Sequence, residues 1–93
     1  MIVSFACEET EKIFLGVKSK RFPSHIQKSA YNKLLLIDIA ASISELRFPP
    51  SHHLEKLQGQ RKNQYSIRIN QQFRICFYYQ NGHALEVEIT DYH

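Results

Sequence analysis

The stretch Tyr65-Ser66-Ile67-Arg68-Ile69-Asn70-Gln71-Gln72-Phe73-Arg74-Ile75-Cys76-Phe77-Tyr78-Tyr79 alternates apolar and polar side chains on either side of a polar break. Alternation with period two is the mark of strands buried on one face. Tyr65, Ile67 and Ile69 fall on one side and Ser66, Arg68 and Asn70 on the other, and Phe73, Ile75, Phe77 and Tyr79 repeat the pattern. Both apolar sets must face the core, because a slip of one residue would expose a whole set. The register therefore sets Ile69 against Phe73, Ile67 against Ile75 and Tyr65 against Phe77, and it places Arg68 opposite Arg74 on the other face. Like charges directly opposite each other destabilise a strand pair. An anionic group is expected to offset them.

Working outward, Leu85, Val87 and Ile89 alternate in the same way and predict a third long strand. Setting Phe77 against Val87 and Ile75 against Ile89 makes Asn81-Gly82-His83 a three-residue loop or a bulged turn. Arg74 then lies across from Thr90, with Glu88 and Tyr92 as diagonal neighbours. Upstream, Pro23 leads into Ser24, a capping residue, with Gln27 three positions on as in a capping box. Ile26, Ala30, Leu34, Ile37 and Ala41 follow at helical steps, widened by Leu35, Ile39, Ile43 and Leu46. The spacing predicts a helix from Ser24 to about Ser44, ended by Pro49-Pro50. Glu8 to Leu15 reads as a short helix stopped by Gly16, and Ile2 to Phe5 as a short strand. The expected fold is α+β in two layers: an antiparallel sheet of about four strands, three longer ones plus the N-terminal one, with one short and one long N-terminal helix on one face. Its 93 residues make a single domain, 1–93.

A chain of this size has no room for a deep pocket enclosing a cofactor, so none is expected and function must lie on the surface. Its 43% hydrophobic and 23% charged residues are ordinary for a globular protein. No run approaches the ~18 apolar residues needed to cross a bilayer; Leu34 to Ile37 is stopped by Asp38. With Glu8, Glu9 and Glu11 near the start, the sequence has neither the basic beginning nor the apolar middle of a secretory signal, and a cytoplasmic protein is expected. Cys7 and Cys76 are far apart and read as reduced structural thiols. His52-His53 has no nearby cysteine or carboxylate cluster to complete a metal shell, so no metal site is expected.

The net charge is +3, but it is unevenly spread. Between Leu46 and Leu85, Arg47, Lys56, Arg61, Lys62, Arg68 and Arg74 face one acid, Glu55, whereas Glu86, Glu88 and Asp91 make the tail acidic. A basic middle suits phosphate binding, since neutralising phosphates releases counterions; a solvated basic face is the structural alternative. For Arg74 that alternative is a surface salt bridge to Glu88. Asp91, Tyr92 and His93 put a carboxylate, a phenol and an imidazole beside Arg74. Those groups match what RNA cleavage by its own 2′-hydroxyl requires: a base, a cation for the phosphate, an acid for the leaving oxygen and an aromatic platform. A frayed polar tail is the other reading.

The sequence resembles the HigB group of the RelE/ParE superfamily, the plasmid-maintenance killer proteins. Ile2-Val3-Ser4-Phe5 looks like the family's opening strand, and Arg21-Phe22-Pro23 introduces its long helix. The densest match runs from Leu54-Glu55-Lys56-Leu57-Gln58-Gly59-Gln60-Arg61 through Gln64 to Asn70 and Phe73 to Phe77, and closes on Val87-Glu88-Ile89-Thr90-Asp91-Tyr92-His93. The terminal Asp-Tyr-His is its most specific piece. The resemblance implies a ribosome-dependent endoribonuclease that cuts mRNA in the decoding site and arrests translation. It also implies a cognate HigA-like helix-turn-helix antitoxin, through which alone operator DNA would be bound. It makes Arg74 the phosphate-stabilising arginine and Asp91, Tyr92 and His93 the catalytic end, with His93 the preferred proton donor. Arg68, Lys56, Arg61 and Lys62 are expected to bind RNA phosphate. The sequence departs from some relatives at Glu55 and Gln58, where they carry a histidine and a lysine. Glu55 is then either a replacement acid-base group or a surface carboxylate, and the general base is open. A ParE-like inhibitor of DNA gyrase would share the fold without catalysis, but would need neither the strand arginine nor the Asp-Tyr-His end. A non-catalytic binding module is the third class.

Overall fold

The computed structural model describes residues 1–91. Helices α1 (Glu8–Phe14) and α2 (Ser24–Ile39) precede four antiparallel strands, β1 (Glu55–Lys56), β2 (Tyr65–Arg68), β3 (Phe73–Gln80) and β4 (His83–Asp91), which lie in that order across one sheet. The alternation read from sequence turns one face of this sheet to the helices. Ile13 of α1 and Ile26, Ala30, Leu34 and Ile37 of α2 meet Ile67, Ile75, Phe77, Ala84, Val87 and Ile89 in one apolar cluster. Burying each of the larger side chains in this cluster contributes about 1.5–3 kcal/mol, which outweighs any local preference of these short strands.

The β2–β3 register is the expected one: Tyr65 opposite Phe77, Ile67 opposite Ile75, and Arg68 opposite Arg74. Asn70 closes the hairpin, its Oδ1 accepting from the backbone nitrogens of Gln72 and Phe73 at 2.8 and 2.7 Å, an Asx turn.

The β3–β4 pairing corrects one expectation. Arg74 faces Thr90 and Ile75 faces Ile89 as anticipated, but Gln80 faces His83, so Asn81-Gly82 is a two-residue turn with φ of 52° and 80°. Positive φ at both positions is the hairpin geometry that Asn-Gly favours. The extra residue sits instead in a bulge, where Glu86 and Val87 oppose Phe77 and Glu86 takes φ 51°. Beyond it the parity of β4 reverses, so Ala84 rather than Leu85 enters the core.

The N-terminal segment also differs. The fourth strand is β1, while Ile2 and Phe5 form isolated parallel bridges with Ala84 and Val87 along the outer edge of β4. The bulge explains why these bridges do not merge into a strand. Ser4 spans it, accepting from Glu86 N through Oγ at 2.8 Å and from Val87 N through its carbonyl at 3.1 Å. Further along the same edge, Thr10 Oγ1 accepts from Ile89 N at 2.9 Å, so helix and terminus together cover donors that would otherwise invite another strand.

Helix α2 is shorter than its periodicity suggests. It ends at Ile39, Ala40 is extended with ψ 131°, and a separate 3₁₀ turn, Ile43–Arg47, carries Leu46 into the core. Tyr79 Oη donates to the Ala40 carbonyl at 3.1 Å, which takes up an acceptor the helix end leaves open. The widened stripe holds only in part: Leu46 enters the core and Ile43 packs against it, while Leu35 and Ile39 face solvent, Ile39 at 73% exposure. No side-chain cap forms at Ser24; Pro23 is the capping position, and Gln27 instead braces the preceding loop by bonding Ser19 N, Ser19 O and Phe22 O.

Candidate active site

The even-numbered residues of β2 and β3, and those of β4 that follow its bulge, face away from the helices, and the end of β4 brings Thr90 beside Arg74 there. Expected on an open surface, the Arg74 side chain is in fact only 4% exposed. The cause is β1, which pairs Glu55 with Ser66 at the edge next to β2 and so delivers a carboxylate and a carbonyl to the arginine. Arg74 Nη1 lies 3.0 Å from Glu55 Oε1, and Nη2 donates to the His53 carbonyl at 2.9 Å. Glu55 is thus the anionic group that the Arg68–Arg74 juxtaposition requires. The alternative reading of Arg74, a surface salt bridge to Glu88, is not the pairing that forms: the Glu88 carboxylate accepts from Arg61 Nη1 at 2.9 Å.

Arg61 sits on the 3₁₀ turn Gly59–Arg61 and crosses to β4, where the neighbouring carboxylate raises its pKa further despite partial burial. An open cleft of ≈ 610 Å³ results, with Glu55, Lys56, Gln58, Gln60 and Arg61 on one side and Arg74, Cys76, Thr90 and Asp91 on the other. Asp91 accepts from Gln72 Nε2 at 3.0 Å. It also lines an adjoining cleft of ≈ 580 Å³ with Arg21, Phe22 and Gln72, and the two clefts share Arg61 and Thr90.

Of the residues singled out from sequence, Arg74, Glu55 and Asp91 line the same cleft, as do Lys56 and Arg61. Lys56 has a second attachment, since its ammonium stands over the Tyr65 ring, 5.9 Å from the centroid. Arg68 and Lys62 are not part of the lining. Tyr92 and His93 follow Asp91 in sequence and lie outside the described residues. Sequence reasoning passed over Cys76, read as a structural thiol, whose Sγ lies 3.4 Å from Thr90 Oγ1, and Gln72. Parity with Arg74 signals Cys76; nothing local signals Gln72, whose contact depends on the hairpin's placement. Among the described residues, no three His, Cys, Asp or Glu side chains group as a metal shell would need.

Residues 3–93 match the family model described as the RelE-like toxin of the type II toxin-antitoxin system HigB. The chain belongs to the HigB family of RelE-like toxins. Its relatives include Toxin HigB-1 of Vibrio cholerae, 36% identical over 86 residues covering 91% of this chain and 90% of that one. Another is the protein named Endoribonuclease HigB of Proteus vulgaris, 30% identical over 93 residues and covering both chains fully. Among solved structures, the YoeB-YefM complex of Staphylococcus aureus contains a chain of the same fold, with TM-score 0.61, 19% identity and coverage of 100% of this chain and 95% of that one. As a HigB-family toxin, the protein is one half of a type II toxin-antitoxin pair, so its physiological partner is an antitoxin. No helix among its described residues is long and apolar enough to cross a membrane.

Proposed function

We propose that this HigB-family toxin is an endoribonuclease that cuts mRNA on the ribosome. The observation that carries the reading is a nearly buried arginine in an open cleft, lined also by the carboxylate of Asp91, from which the sequence continues into Tyr92 and His93. The full-length similarity to a protein named an endoribonuclease supports it.

In the proposed reaction the 2′-hydroxyl of one nucleotide attacks the adjacent phosphorus, and its proton passes to a base at the Asp91-Tyr92-His93 end or to water. The bond to the 5′-oxygen of the next nucleotide breaks, leaving a cyclic phosphate and a 5′-hydroxyl. Arg74 stabilises the charge that builds on the non-bridging oxygens, the largest single contribution such a site can make. His93 gives a proton to the leaving oxygen, Tyr92 stacks on a base or shares the proton transfer, and Asp91 orients this end. Lys56, Arg61, Lys62 and Arg68 hold flanking phosphates. The toxin domain spans residues 1–93 and acts in the bacterial cytoplasm, restrained by a HigA-like helix-turn-helix antitoxin that alone contacts operator DNA.

Ribosomes programmed with a defined mRNA test this reading, with cut sites mapped by primer extension. The parent protein is expected to produce discrete 5′-hydroxyl ends. Deletion of His93 should reduce cutting on the order of a hundredfold or more, as loss of a general acid does, and abolish toxicity. A parent that arrests growth without cutting, and that inhibits gyrase supercoiling, would replace this reading with the gyrase-inhibitor one.

A further inference from the structure

We propose that Glu55 is a positioning residue which, together with the His53 carbonyl, fixes the plane of the Arg74 guanidinium for the RNA phosphate and takes no proton in the reaction. The inference rests on the reading of Arg74 as the phosphate-stabilising group. It separates two roles that the sequence leaves open for Glu55, acid-base group and surface carboxylate, by assigning neither.

The geometry carries it. The acceptors are two residues apart on one short segment, and each engages a different terminal nitrogen of the same guanidinium, at 3.0 and 2.9 Å. A planar fork gripped at both tips loses its rotation about the last side-chain bond. Arg74 needs such a grip because Arg68 lies directly opposite and would push the charge away. The segment that supplies the acceptors is itself fixed: Glu55 pairs with Ser66, Lys56 with Tyr65, and Leu57 N donates to Gln64 O at 2.7 Å. The exposures are unequal, 4% for the arginine side chain and 46% for the glutamate. The cation is thus built into the sheet, and the carboxylate is the part that reaches it from the mouth of the cleft. With Oε1 committed to Arg74, Glu55 serves the phosphate through the arginine.

The test compares Glu55→Gln, Glu55→Asp and Glu55→Ala with the parent, by cleavage on programmed ribosomes across pH and by the ¹⁵N resonances of the Arg74 side chain. Glutamine keeps the accepting oxygen at the same reach, so kcat should fall only about two- to fivefold with an unchanged pH profile. Alanine removes the acceptor, and aspartate withdraws the carboxylate by one methylene. Both should lose kcat, by roughly a hundredfold and tenfold, the scale seen when electrostatic stabilisation is misaligned. The Arg74 side-chain resonance should stay sharp and slowly exchanging in the parent and the glutamine variant and broaden in the other two. Equal losses in Glu55→Gln and Glu55→Ala, with one limb of the pH profile gone, would make Glu55 a proton-transfer group and overturn the proposal. An Arg74 resonance indifferent to Glu55→Asp would overturn it as well, and that variant keeps the charge should alanine compromise folding. If the parent cuts no RNA while the Arg74 resonance follows the expected series, the endoribonuclease reading fails and the positioning of Arg74 stands.

Discussion

His52 is fully buried, at the end of the 3₁₀ turn Pro50–His52, and Nδ1 lies 3.1 Å from the Leu46 carbonyl. The neutral ring therefore carries its proton on Nδ1, and no hydrogen-bonding group among the described residues lies within reach of Nε2. Burial lowers its pKa from 6.5; the Leu46 carbonyl opposes that shift, and the charge of Lys33 adds to it. In the unfolded chain the ring protonates as pH falls through 6.5, while the folded protein resists, so stability from this residue is present above that pH and lost below it. Thermal unfolding should move down between pH 7 and 5, and His52→Gln should flatten that slope; equal slopes would remove His52 as the cause. Arg74 belongs at the same scale. An exposed strand arginine could be cut back to alanine without cost, but one that is almost buried against Glu55 cannot. Arg74→Ala is expected to lose about 1–3 kcal/mol as well as activity, measurable by denaturant unfolding.

Among the elements, α2 and β4 show how packing overrules periodicity. Leu34 and Ile39 both belong to the apolar pattern of the helix, yet one is fully buried and the other 73% exposed. Leu34→Ala should cost about 2–5 kcal/mol and Ile39→Ala less than about 0.5 kcal/mol. Comparable losses at the two sites would mean that the helix is rotated from the orientation described. The bulge in β4 allows an equally sharp comparison. Glu86 holds a left-handed conformation that a β-branched residue tolerates poorly. Glu86→Val should therefore destabilise by more than about 1 kcal/mol, while Glu86→Gly stays near the parent, its relief of strain offset by a freer unfolded chain. The need for an extra residue in this hairpin was legible from the alternation of Phe77 and Val87. Its position was not, because Asn81-Gly82 satisfies a two-residue turn and the surplus settles where Ser4 can bond the disrupted backbone.

For the whole molecule, an object of 31 × 26 × 25 Å with an open cleft has little means to force an RNA strand into in-line geometry alone. The ribosome is expected to supply that geometry, so naked mRNA should be cut slowly and without codon register. Efficient, positioned cutting by pure protein would refute this. The basic middle of the chain, tempered by the Arg61–Glu88 and Arg74–Glu55 pairs, should make association weaken as salt rises, with a slope below that of four or five unpaired cations.

By itself the sequence determined the helix–sheet layering, the β2–β3 register and the meeting of Arg68 with Arg74, because alternation and burial act along a single strand and leave one face for the core. Glu55, Arg74 and Asp91 stand out in the sequence, and the fold lines one cleft with all three. Tertiary structure alone decided that β1 forms the fourth strand, that the N-terminal segment bridges the opposite edge in parallel, and that Glu55 rather than Glu88 meets Arg74. Each of these depends on which distant segments fill a sheet edge. Edge pairing is set by how a whole chain satisfies its remaining donors and charges, and no local period encodes that choice.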